Sequence, residues 1–274
     1  MILTLNTLSK VFALISFILS SLCLFAGTQD SIMQNSSVMM LKLNQFMGRQ
    51  LDTSASEPIS ALTQAATNSQ NTTAADLGLK DFYAIHVLTY CEGNFKDSGN
   101  HAMEVTSCSR RRAPFAFNPE KVFSTEFNAG FNISDINWPD TISDDFDVMA
   151  MTTKAMSVLY IIGMAATGIA FLMEILLTQA GGKPSMFAHL FFTVLSFVCL
   201  GVSSSVASVI AVQFVHLINR HGEDYGIVAK GGSSFLGMTW SAVVLSFLTV
   251  VISVITLPSS GSSSASSEKD MDEV

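Results

Sequence analysis

The stretch from Met186 to Ile218 holds 33 residues and not one charged side chain. As a single α-helix it would measure about 50 Å, against a bilayer hydrocarbon core of about 30 Å. A segment of this kind has to cross a membrane, and it must either tilt strongly or project beyond the lipid. Three other runs share its character. Lys10 is followed by VFALISFILSSLCLFAG, Ala155 to Thr178 is uncharged except for Glu174, and Ser234 to Leu257 carries Trp240. Only 13% of the chain is charged, where soluble domains hold about 25%. The fold class this predicts is a membrane protein built on a bundle of four transmembrane α-helices.

The expected organisation is a first span in residues 1–27, a large polar segment 28–150, and a second span in 151–178. A turn follows at 179–185, then a third span 186–218, a short loop 219–233, a fourth span 234–257 and a disordered tail 258–274. The first run is short for a span and has the length of a signal-peptide core. Leu24, two positions before Ala26, suits a cleavage site poorly, so a retained helix is expected. Along the third run Gly201, Ser204, Ser208 and Ala211 recur at helical spacing, a small-residue face suited to close helix packing. Glu174 lies close enough to the end of its run to reach the interface.

Residues 28–150 carry 15 acidic and 8 basic side chains, nearly all of the net charge of −8. That balance makes nucleic acid a poor partner. Three acceptor sequons for N-glycosylation, at Asn35, Asn71 and Asn132, all fall in this segment, which argues that it faces the outside. Lysine and arginine do not settle the orientation. Lys10, Lys183 and Lys269 on one side stand against Lys154, Arg220 and Lys230 on the other. The sequons place 28–150 outside and the C-terminus in the cytosol.

Within that segment, Asp81 to Cys108 is the organising stretch. Phe82 to Tyr90 has Tyr83, Ile85, Val87 and Thr89 at period two, which predicts one strand running into a turn at Cys91-Glu92-Gly93. Cys91 and Cys108 are the only cysteines outside the apolar runs and are expected to pair, closing a loop worth about 3 kcal/mol in an oxidising compartment. Earlier, Met40, Leu43, Met47 and Leu51 suit one face of a helix lying against the domain or the membrane surface. After Cys108, Arg110, Arg111 and Arg112 form a basic triplet, able either to grip phosphate or sulfate groups or to neutralise an acidic domain. Pro114 and Pro119 then bracket Phe115 and Phe117 on alternating positions of an extended segment.

Four spans, a large first loop with a strand leading to a cysteine, a second cysteine in that loop and a short second loop together resemble the claudin-like superfamily. More narrowly, Tyr83 to Gly93, with Tyr90, Cys91 and Glu92, followed by Cys108 and by Phe117, Asn118 and Pro119, resembles the fungal Sur-seven/PalI family. The Trp and Gly-Leu-Trp signature of animal claudins is absent ahead of Cys91. The resemblance implies an extracellular, β-containing, disulfide-closed first loop on a multi-pass plasma-membrane protein of furrow-like lipid domains (eisosomes). It implies roles in cortical organisation, cell-wall integrity and sphingolipid balance. Sphingolipid-rich bilayer, membrane or cortical proteins, and further copies of the chain are the partners it suggests. PalI-type members assist ambient-pH signalling and often carry long cytosolic tails, whereas the tail here is short. A third expectation is an auxiliary subunit of another membrane protein.

No catalytic pattern stands out. His86, His101, His189, His216 and His221 lack metal-ligand spacing, GGKPS lacks the spacing of a phosphate loop, and no Gly-x-Ser-x-Gly elbow occurs. The sequence therefore points to a protein without enzymatic activity, cofactor or metal.

Overall fold

The computed structural model describes residues 2–28, 33, 36–43, 78–96, 103–126, 140–180, 183–222 and 227–256. Asn35, Asn71 and Asn132, the tail 258–274 and residues 181–182 of the turn expected at 179–185 lie outside them.

Four helices are long and apolar enough to cross a membrane. Helix α1 (Ile2–Phe25) is followed, after the sheet segment and a short α2 (Pro119–Glu126), by α3 (Asp140–Ala180) and α4 (Lys183–Val209). The third span then passes through a π-helical turn, Ile210–Phe214, into α5 (Val215–Gly222), and α6 (Ser233–Ile255) completes the bundle. Two of these helices outrun the bilayer. The apolar stretch of the third span, Ser185–Arg220, measures about 54 Å at 1.5 Å per residue, against a hydrocarbon core of about 30 Å. Helix α3 begins at Asp140, so residues 140–150, assigned above to the polar segment, continue the second helix. Of its carboxylates Asp147 is exposed.

Lipid tails are as apolar as leucine, so packing and polar contacts hold such a bundle together. On α3, a Cβ added at Gly163 would lie 2.9 Å from Leu200 Cγ and 3.0 Å from the Leu200 nitrogen, so α3 and α4 touch backbone to backbone there. Hydroxyls stitch the interior. Ser16 donates to the Ala242 carbonyl (2.9 Å), Ser203 to the Met156 carbonyl (2.9 Å) and Thr239 to the Tyr160 hydroxyl (3.2 Å). The small-residue face of the third span turns towards α6. Ser204 pairs with Thr239 (2.7 Å), and Ser208 accepts the Trp240 indole N–H (3.0 Å). Close approach at Gly201 is not found. A Cβ there meets only Val243, at 3.9 Å, and Gly163 holds the tight position instead.

At one end of the bundle sits a five-stranded antiparallel sheet of order β4-β3-β2-β1-β5. Its strands are β1 (Met39–Lys42), β2 (Phe82–Ile85), β3 (Tyr90–Phe95), β4 (Met103–Cys108) and β5 (Val228–Gly231). Two expectations are corrected here. The segment around Met40 and Leu43 is a strand rather than a helix face, with Met39 and Leu41 buried towards the bundle and Met40 on the other face with Phe82 and Ala84. Met47 and Leu51 lie outside the described residues. The run from Phe82 to Tyr90 is not one strand either. It turns at His86 to Thr89, closed by the His86 N–H on the Thr89 carbonyl (2.9 Å), and Cys91, Glu92 and Gly93 belong to the returning strand. Val87 and Leu88 are buried at that turn, so their composition resembles a strand. The short second loop contributes β5, paired with β1 from Met39↔Gly231 to Lys42↔Val228.

Candidate functional site

The described family-type residues of the polar segment gather on β2, β3 and the chain that follows β4. Cys91 and Cys108 are bridged, and they are direct partners in the β3–β4 register. Gly93 explains itself by contact. A Cβ there would sit 2.1 Å from the Glu104 carbonyl oxygen and 2.8 Å from Phe82 Cζ, so any side chain would push β4 away.

Beyond β4 the chain is pinned to the sheet. Ser109 N–H reaches the Tyr90 carbonyl (2.8 Å), Arg112 N–H the Leu88 carbonyl (3.1 Å), and the Thr89 hydroxyl the Ser109 carbonyl (2.8 Å). It then runs as an extended strap along α3. Phe115 N–H donates to Ser157 Oγ and Phe117 N–H to Thr153 Oγ1, each at 3.0 Å. The spacings match. Alternate amides of an extended chain point one way, and Thr153 and Ser157 stand one turn apart on one helix face. Phe115 and Phe117 are both buried by this strap, and the Tyr90 ring meets Phe117 edge-on at 5.8 Å.

Asn118 and Pro119 start α2. Asn118 Oδ1 accepts the Lys121 N–H (3.3 Å), Pro119 takes the first helical position, and Asn118 Nδ2 donates to Asp147 on α3 (3.2 Å). The helix lays Phe123 against Tyr83, ring centroids 5.3 Å apart, and delivers Glu126 to the Tyr83 hydroxyl, which donates to it. Tyr83 and Glu92 are cross-strand partners, so the Glu92 carboxyl also reaches Glu126, while Glu92 Oε1 accepts from Ser107 (2.7 Å). Burial, then the neighbouring Glu92 carboxyl, pushes Glu126 up to about 8. Tyr83 is raised chiefly by burial, and so is Tyr90.

His86 sits at the other contact, between sheet and α1. Gly27, at a φ of +69°, lets the ring approach so closely that a Cβ would lie 2.3 Å from it. The imidazole is fully buried and neither nitrogen reaches hydrogen-bonding geometry. Burial pushes it down to about 4, against a smaller opposite pull from the Ser36 main chain.

Thr153, Ser157 and Glu126 are the contributors sequence reasoning missed. Asn118-Pro119 was a usable helix-start signal that pointed to α2. The hydroxyl pair on α3 carries no local mark, because Thr and Ser four residues apart are common on any helix.

Among the described residues no three of His, Cys, Asp or Glu come together as a metal site. What the arrangement does is fasten. The bridge ties β3 to β4, and the strap, the cap and the tyrosine–carboxyl contact fix the sheet to the bundle. A four-span membrane protein capped by a disulfide-bridged antiparallel sheet, in the claudin-like layout, is the class this fold defines. The family model of the SUR7/PalI family matches residues 5–252, and the chain belongs to that family. No curated protein and no solved structure matches the chain.

Proposed function

We propose that this protein is a non-enzymatic organiser of the plasma membrane, of the cortical-patch or eisosome type, supporting cell-wall integrity and sphingolipid-domain organisation. The observation that carries this reading is that the family-type residues work as architecture. Cys91, Glu92 and Gly93 join β3 to β4, while Tyr83, Tyr90, Phe117, Asn118 and Pro119 hold the sheet to the strap and helix α2 that lie on the bundle. In this reading the sheet end faces outward, in keeping with a disulfide's need for an oxidising compartment, and the C-terminus is cytosolic. The sequons at Asn35, Asn71 and Asn132 carry glycans, and the partners are sphingolipid-rich bilayer, other copies of the chain, and membrane or cortical proteins.

A second reading, an accessory protein in ambient-pH signalling, draws on Glu126, whose carboxyl changes charge near pH 8 at the junction of sheet and α2. Fluorescence imaging of the protein tagged at its C-terminal end, with proximity labelling from the same tag, separates the two. Static cortical patches and cortical neighbours are expected of an organiser. Uniform, freely diffusing protein that gathers pH-signalling components would overturn that reading in favour of the second.

A further inference from the structure

Among the described residues of the polar segment, the basic triplet is a motif that the fastening scheme leaves unused. Arg110, Arg111 and Arg112 are all exposed, and among the described residues no carboxylate pairs with them. Their main chain is held, since Ser109 and Arg112 are tied to Tyr90 and Leu88, so the three guanidinium groups project from a fixed base.

Their height relative to the lipid follows from the bundle. A hydrocarbon core of about 30 Å takes about 20 helical residues. Counted from Leu176, where the apolar stretch of α3 ends, that reaches the turn of Met156 and Ser157. A second route agrees. Thr239 on α6 bonds Tyr160 on α3, and both helices run in the same direction. Six residues outward from each are Ser233, where α6 begins, and Lys154. The boundary on the sheet side therefore lies between Lys154 and Ser157, and exposed Lys154 adds a cation there. Phe115 is bonded to Ser157 at that level. Arg112 is three residues before it, at most about 10 Å of extended chain. The headgroup layer is about 5–7 Å thick on each side, and an arginine side chain spans the remainder.

We propose that Arg110, Arg111 and Arg112 bind the phosphate groups of acidic lipids in the leaflet on the sheet side. Guanidinium groups match phosphate oxygens through paired N–H donors, and several cations at headgroup level reinforce one another. Among the acidic groups on other elements, Glu126 on α2 and Glu92 on β3 act on Tyr90 together with Arg112. Glu126 holds its proton up to about pH 8, so it takes little of that positive charge near neutrality. The inference names a lipid class for the organiser proposed above and rests on that reading only for its biological meaning, because binding is tested in purified protein.

The test is electron spin resonance of full-length protein in phosphatidylcholine vesicles carrying trace spin-labelled phosphatidic acid or phosphatidylcholine. Wild type should hold the acidic probe several-fold more strongly, and 1 M salt, with its Debye length of about 3 Å, should remove most of that preference. Replacing the triplet, Arg110→Ser with Arg111→Ser and Arg112→Ser, should reduce the preference on the order of tenfold or to none. Changing all three to Lys should keep much of it, which separates charge from folding, while Lys96→Ser should leave it intact. A wild type without acidic preference, or a serine variant that retains it, overturns the proposal. So does heparin, as a soluble sulfated glycan, binding wild type more tightly than the acidic lipid and losing that binding in the serine variant. Any of these failures leaves the localisation test of the organiser untouched.

Discussion

Replacing Thr153 by Val keeps the volume of the side chain and removes one acceptor. The hydroxyl donates to the Met149 carbonyl (2.9 Å) while accepting the Phe117 N–H, and the site is buried. The variant leaves that N–H without a partner where water does not reach, which costs about 1–3 kcal/mol. Because tenfold corresponds to about 1.4 kcal/mol, opening of the strap should become about 5 to 150 times more frequent. Ser157→Ala should do the same for Phe115. Thr152→Val is the control, since its hydroxyl only turns back on Val148 of its own helix (2.7 Å), and its effect should stay within about 0.5 kcal/mol. Hydrogen–deuterium exchange of the full-length protein, followed on peptides covering residues 113–118, reads the opening directly. Equal protection of Phe117 in wild type and Thr153→Val would show that the strap is held by something other than these two hydroxyls.

Other outcomes follow from the same contacts. Gly163→Val should force α3 and α4 apart and lower the melting temperature, whereas Gly201→Ala, with Val243 at 3.9 Å, should leave it nearly unchanged. Stability should also peak between two titrations. His86 sits at about 4 in the fold against 6.5 free, so its contribution is complete above pH 6.5 and is lost as pH falls towards 4, up to about 3 kcal/mol. Glu126, raised to about 8 from 4.5, acts in the opposite sense, with stability complete below 4.5 and falling as pH rises through 8. Melting curves against pH should lose the acid limb in His86→Leu and the alkaline limb in Glu126→Gln.

The spans were legible because a membrane demands long uncharged runs, and Met186 to Ile218 could be nothing else. The bridge was legible because only Cys91 and Cys108 lie outside those runs. The sheet was read less well. Strand β2 was read but carried too far, because Phe82 to Ile85 is buried on both faces and the turn at Val87 and Leu88 is itself buried, so no glycine signal announces it. Strand β5 was hidden for another reason. Four residues acquire strand character only from β1, which lies far away in sequence. The tight helix contact was assigned to Gly201 on the pattern of small residues, but which glycine meets a neighbour's backbone depends on helix rotation, and the structure places Gly163 there.

The central claim is that the fastened sheet and bundle, rather than the tail, make this protein an organiser. Cell imaging of two variants tests it most directly. Cys91→Ser removes the bridge between β3 and β4, at a cost of about 2–5 kcal/mol, while deletion of residues 259–274 leaves every described contact in place. The account predicts that Cys91→Ser abolishes cortical patches and that the deletion leaves them static. Dispersal by the deletion alone, with the cysteine variant localising normally, would contradict it.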